Sequence, residues 1–190
     1  MPAGSRDDGG TQGVLGLAEG TVVLVDHHPD WARAYAEEDG RIRGALAGLV
    51  LDIQHCGSTA VPGLKAKPIL DLLVGVAHPA LGGACIAPLG RIGYAYMGDR
   101  VVPDEHFFGK GVPRTHHLHL VAWGGAGWCG MVRFRDRLRA DPALAHGYEA
   151  VKLALAQRYA HDRASYTRAK AAFIEGVVGR PPDPGGAGPR

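Results

Sequence analysis

Two apolar runs joined by a glycine-bearing bend set the tightest limits on how this chain folds. Leu49, Val50, Leu51 and Ile53 lead into Gly57-Ser58-Thr59. Ile69 to Val76 follow, after Pro62-Gly63, Lys65 and Lys67. The second run is almost wholly apolar, as expected of a strand buried on both faces. It contains one carboxylate, Asp71. A lone buried carboxylate is costly unless it is paired or holds a metal. Asp71 therefore either forms a structural pair with Lys67 or an arginine, or faces the open end of the sheet as a ligand for Mg²⁺ or Mn²⁺. A hard divalent ion needs only one or two carboxylates when substrate phosphates and water complete its shell.

The bend itself reads two ways. Gly57 lets a ligand approach the backbone closely, and Ser58 adds a hydroxyl. Converging amides suit an anion such as phosphate. The plain alternative is a glycine ending a strand and a serine capping a turn.

The flanking sequence supplies the support. Residues 1–20 are polar and Gly-rich and read as a flexible tail; 21–179 read as one domain; 180–190, Pro- and Gly-rich, read as a disordered tail. Thr21 to Val25 is a strand or an extended lead-in. His28-Pro29-Asp30 opens a helix, with Trp31, Ala34, Tyr35, Ile42, Ala45, Leu46 and Leu49 on its stripe. Leu51 to Cys56 is expected as a first central strand. A weak helix is expected from His78-Pro79 towards Leu89, ended early or kinked by Pro88. Gly93 to Met97, His106 to Gly109 and His116 to Ala122 complete about five strands. Alternation places His117, His119 and Val121 on one face of the last strand and Leu118 and Leu120 on the other. From about Trp128 the pattern is helical, interrupted at Asp141-Pro142. Helices grouped after the last strand argue for an α+β fold rather than a βαβ series.

Composition excludes several classes. A net charge of +2 in 190 residues gives no bulk attraction to nucleic acid. Three cysteines without close pairing argue against a disulfide framework or a zinc knuckle. The opening residues lack the apolar core of a secretory signal, and no apolar run reaches a membrane span. The expectation is a cytoplasmic protein with neither a nucleic-acid nor a membrane partner.

Other chemistry-bearing residues are the pair His117 and His119, two apart on one strand face, and the cations Lys65, Lys67, Lys110, Arg114, Arg133, Arg135, Lys152 and Lys170. Arg135 stands out within the dense run Arg133-Phe134-Arg135-Asp136-Arg137-Leu138-Arg139, because a planar guanidinium grips phosphate bidentately. Solvated helix faces explain most such cations equally well. No Ser/His/Asp triad and no Walker loop is readable.

The chain resembles the GrpB family from about Val22 to Val178. The resemblance rests on Pro29-Asp30-Trp31; His55-Cys56-Gly57-Ser58-Thr59-Ala60-Val61-Pro62-Gly63-Leu64; Lys67-Pro68-Ile69-Leu70-Asp71; Gly93-Tyr94; His117-Leu118-His119; Phe134 to Arg139; and Tyr148 with Lys152. Through that family it is similar to the DNA polymerase β-type nucleotidyltransferases. That likeness implies a mixed sheet of about five strands flanked by helices, with a C-terminal helical group. It implies a Gly-Ser loop on the nucleotide phosphates, here Gly57, Ser58 and Thr59, and an Asp-x-Asp/Glu on the next strand. Asp71 matches the first acid; Leu73 stands where the second belongs. The third acid has no clear match, and His119 lies on a strand that suits its place.

The implied activity is transfer of a nucleotidyl group from a nucleoside triphosphate, ATP by expectation, to a small-molecule acceptor. Asp71, Ser58 and His119 would be catalytic, Asp71 and His119 would hold the metal, and Lys67 and Arg135 would neutralise phosphate charge. His55, His117, Lys110 and Lys152 are further candidates. Leu73 keeps a non-catalytic nucleotide- or coenzyme-binding module open as an alternative. An ATP-dependent enzyme that activates a carboxylic acid in the same cleft is a third reading.

Overall fold

The structure, a computed structural model, describes residues 14–99 and 105–179. Its centre is one five-stranded sheet in the order β1-β2-β5-β4-β3. The strands are β1 (Val50–Cys56), β2 (Leu70–Val76), β3 (Tyr94–Asp99), β4 (His106–Lys110) and β5 (His116–Ala122). β2 and β5 run parallel; the other three pairings are antiparallel. This is the mixed sheet of an α+β fold. β1, expected as central, is an edge strand, and its alternating burial fits that place. β2, with neighbours on both sides, is buried at every position except Asp71.

The two faces are covered differently. α1 (Asp30–Ala45) and α2 (Gly82–Arg91) lie over the main core, where Trp31, Ile42 and Leu89 meet Leu70, Leu72, Val74, Leu118 and Leu120. Trp31 is fully buried, and removing a side chain of that size from water contributes about 3 kcal/mol. The other face carries α3 (Ala126–Ala140), whose Trp128 packs on Cys56, Leu73 and Val121. α4 (Pro142–Arg158), α5 (Arg163–Ala169) and α6 (Ala171–Val178) follow as the expected C-terminal group. Asp141 ends α3 and caps α4 by accepting from the Leu144 amide at 3.0 Å. The last two helices part at Lys170, with Tyr166 on α5 and Phe173, Ile174 and Val177 on α6.

Two boundaries differ from expectation. The fold begins by residue 14, inside the segment read as a tail. The Val14 carbonyl accepts from the Trp31 indole, Gly16 donates to the Pro68 carbonyl, and Leu17 bridges Arg114. The apolar residues Val14, Leu15 and Leu17, set among glycines, supply the anchor. Residues 1–13 and 180–190 lie outside the described residues. In α2, Pro88 sits inside the helix without ending it. Thr21 to Val25 forms a lead-in with one bridge, Val25 to Ala66, and no strand. Among the described residues no helix is long and apolar enough to cross a membrane.

Candidate functional site

β1 delivers the chain into Gly57, where φ is +68°. Cys56 lies directly opposite Asp71 in the ladder, so the bend passes over the Asp71 carboxylate. A β-carbon on Gly57 would stand 2.2 Å from Asp71 Oδ2. Glycine is thus required here twice, by the backbone angle and by the acid beneath it. A short 3₁₀ turn, Ser58–Ala60, continues the bend.

The loop after the turn is tied down from several sides. His55 Nε2 and Thr59 Oγ1 are 2.9 Å apart. Arg139 Nε donates to the Ala60 carbonyl at 2.8 Å, and the Lys65 amide donates to Glu149 Oε2 at 2.7 Å. Such a loop is preorganised rather than mobile, as ligand-positioning backbone must be. On its outer side, away from Asp71 and Ser58, lies a dish of about 460 Å³ lined by Val61, Leu64, Leu138, Arg139, His146 and Glu149.

Asp71 pairs across the parallel ladder with His117, and Leu73 with His119. His117 Nδ1 donates to Asp71 Oδ1 at 3.1 Å, and His119 Nε2 is 3.7 Å from the same oxygen. The other His119 nitrogen, Nδ1, donates to Glu105. Burial pushes the Asp71 carboxyl up, but the bonds from His117 and His119 outweigh it and hold the group well below the usual range. Burial also lowers both imidazoles. In His117 that effect prevails, despite the bond to Asp71. In His119 the bonds to Asp71 and Glu105 win and carry the ring up to about 9.

The sign of the resulting stability follows from linkage. His119 has its folded pKa above the unfolded one, so its contribution is complete below the ordinary imidazole value of 6.5 and fades as pH rises through about 9. Glu105→Gln, which removes one of the two anions, is expected to bring the His119 titration down; ring-proton NMR measures it.

Three lysines surround this pair. Lys152 Nζ donates to Ser58 Oγ at 3.1 Å and to the Lys65 carbonyl. Lys67 and Lys170 lie over the Tyr166 ring at 5.5 Å and 4.6 Å, and Lys152 lies over Tyr148 at 5.0 Å. Burial, followed by the charge of Lys170, lowers Lys67 to about 8 and Lys152 to about 7. Lys170 is itself lowered by burial, with Asp71 opposing. Among the described residues none of the three ammonium groups has a carboxylate within ion-pair distance. Buried cations are ordinarily paired. Lys152 is buried, Lys67 and Lys170 are half-buried, and the group lies near the glycine bend.

The residues singled out in the sequence divide accordingly. Gly57, Ser58, Lys67, Asp71, His117, His119 and Lys152 come together. Thr59 and His55 brace the loop: Thr59 is buried, and His55, stacked on Tyr35, is lowered by burial to about 4. Arg135 is engaged elsewhere. Its guanidinium donates to Gln54, to the His55 carbonyl and to Asp136, clamping the end of β1. Lys110 lies on the opposite sheet face, paired with Glu38 at 2.7 Å; its ladder partners are Tyr94 and His116, out of phase with His117. Cys56 is fully buried, and burial raises its thiol to about 12, the reverse of a nucleophile. Glu105 and Tyr166 were not singled out. Glu105 reads as the end of a polar loop, and Tyr166 as one more apolar stripe residue. The only signal for Glu105 is an acid directly before a strand that carries no other acid.

The arrangement defines a class: an α+β protein in which β2 and the C-terminal helices bring three lysines near one acid. The GrpB protein family model matches residues 21–180, so the chain belongs to the GrpB family. It is 34% identical over 171 residues to the glutamate-rich protein GrpB of Alkalihalophilus pseudofirmus, covering 87% of this chain and 98% of that one. The crystal structure of the conserved protein GrpB from Enterococcus faecalis superposes with a TM-score of 0.76 at 33% identity, over 82% of this chain and 94% of that chain. A dephospho-CoA kinase of Mycolicibacterium paratuberculosis is 29% identical over 180 residues; the match spans 81% of this chain and 44% of the kinase.

Proposed function

We propose that the lysine group beside Gly57 and Ser58 binds a nucleoside triphosphate, ATP in the first instance, and that the protein passes its nucleotidyl group to a small-molecule acceptor. The observation that carries the reading is the group of Lys67, Lys152 and Lys170 ammoniums, unpartnered by carboxylates among the described residues, beside Gly57 and Ser58. The bend offers close backbone approach, and the lysines offer compensating charge for the phosphates. The likeness to part of a dephospho-CoA kinase is in keeping with a phosphorylated ligand.

The residues fit one divalent ion and not two. Asp71 is an ionised carboxylate at the bend, and with phosphate oxygens and water it suits Mg²⁺ or Mn²⁺. His119 Nε2 is turned towards the same carboxylate oxygen. A second carboxylate is excluded at Leu73, which is fully buried against Cys56 and Trp128. Among the described residues no group of three or more His, Cys, Asp or Glu is placed to hold a metal by itself. When bound, one ion supplies charge neutralisation on the reacting phosphate. The chain's own work is to grip phosphates with Ser58 and the lysines, and to keep Asp71 ionised.

The test is pyrophosphate release and calorimetric titration with ATP, with and without Mg²⁺. Ser58→Ala and Asp71→Asn are expected to abolish release while circular dichroism stays unchanged. Full release by Asp71→Asn ends the metal role. A second reading, nucleotide binding without transfer, draws on Leu73 and on the hold His117 and His119 already have on Asp71. Tight binding independent of metal, with no pyrophosphate formed, selects it.

A further inference from the structure

We propose that Ser58 is a nucleophile with Lys152 as its base, and that the protein captures the nucleotidyl group on its own Ser58 oxygen. The inference rests on the nucleotide reading above and adds a covalent step to it. Ser58 Oγ and Lys152 Nζ are 3.1 Å apart. Lys152 is 1% exposed and has no carboxylate to hold its charge among the described residues. Glu149, one turn earlier on α4, is turned to the Lys65 amide instead.

Lys152 also donates to the Lys65 carbonyl, which fixes its nitrogen beside Ser58. Burial holds the Tyr148 phenol well above its usual range, so it stays uncharged beside the pair. Burial and the neighbouring Lys170 bring Lys152 to about 7, where an uncharged amine is available. Once Lys152 is uncharged, its nitrogen, 3.1 Å from Ser58 Oγ, can take the hydroxyl proton, as in serine–lysine nucleophile pairs.

The step balances without a further reactant. Ser58 Oγ bonds to the α-phosphorus of the triphosphate as its proton passes to Lys152 Nζ. The bond from the α-phosphorus to the bridging oxygen breaks, and pyrophosphate leaves with the electron pair. Ser58 is left as a nucleotidyl ester, from which an acceptor can take the group.

The experiment incubates the full chain with ATP and Mn²⁺, without acceptor, and reads intact mass, peptide mass and pyrophosphate together. The expected result is a gain of one AMP residue, mapped to Ser58, with one pyrophosphate released per adduct. Ser58→Ala and Lys152→Arg each lose the adduct at ATP concentrations that titration shows to saturate the variant. Should Lys152→Arg fail to fold, Lys152→Met takes its place and ATP binding is read on Ser58→Ala alone. Pyrophosphate release with no adduct, or an adduct elsewhere, overturns the serine step and leaves the transferase reading standing. Binding with neither release nor adduct overturns the step and selects the non-catalytic reading. Absence of ATP binding in the unaltered chain overturns both.

Discussion

Lys152→Met is expected to make the ligand-free protein more stable by about 2 kcal/mol near neutral pH while removing its response to polyphosphate. Lys152 is a buried cation whose pKa falls from 10.5 to about 7 on folding, mainly through desolvation. Below pH 7 the ammonium is charged in both states and the folded state bears the whole penalty. Between pH 7 and 10.5 the unfolded chain binds more protons than the folded one, so stability rises with pH. The gain from methionine is therefore largest below pH 7 and disappears towards 10.5. It is offset in part by the Ser58 hydroxyl and Lys65 carbonyl, which lose a donor. Urea denaturation at pH 6 and pH 9 measures the trend. Pyrophosphate and triphosphate are expected to raise the melting temperature of the unaltered protein and to leave Lys152→Met unmoved. A destabilised methionine variant that still responds to pyrophosphate would mean that Lys152 is ordinary scaffold. A residue that lowers the stability of its own fold is the usual mark of a binding site.

Gly57→Ala is expected to destabilise the protein by about 3 kcal/mol, among the larger effects of a single methyl group. One part comes from φ of +68°, which costs an L-residue about 1 kcal/mol. The rest is collision: the new carbon would lie 2.2 Å from Asp71 Oδ2 and 2.9 Å from its Cγ. Asp71 cannot swing clear without leaving His117. In an Asp71→Ala background those two atoms are gone, so Gly57→Ala is expected to cost only about the backbone share. A double-mutant cycle in urea gives the difference as a coupling of about 2 kcal/mol. Additive effects would show that the bend does not rest on the acid.

The pleat of β5 and the Asp141-Pro142 boundary are written in local patterns, and the structure follows them. Local patterns do not say what a residue meets across the fold. Arg135 and Lys152 both read as cations on helices. α3 turns Arg135 to the end of β1, where Gln54 and the His55 carbonyl absorb its donors. α4 turns Lys152 to Ser58, 94 residues away in sequence. Lys110 and His117 are close in sequence and end on opposite faces of the sheet, because their strands place them out of phase. Pro88 shows the limit from the other side: a rule about helix interiors gave way to a helix packed through Cys85 and Leu89 into the core.

The sequence by itself determined the sheet-forming runs, the glycine bend, the acid on the second strand and the family. Each is carried by residue order or by a period of 2 or 3.6, which are short-range properties of the backbone. Only the tertiary structure decided that Asp71 belongs to two histidines rather than to Lys67, and that three lysines gather near the bend with no carboxylate in ion-pair distance among the described residues. Charge pairing depends on distances between segments far apart in the chain, and those distances exist only once the C-terminal helices close over the sheet.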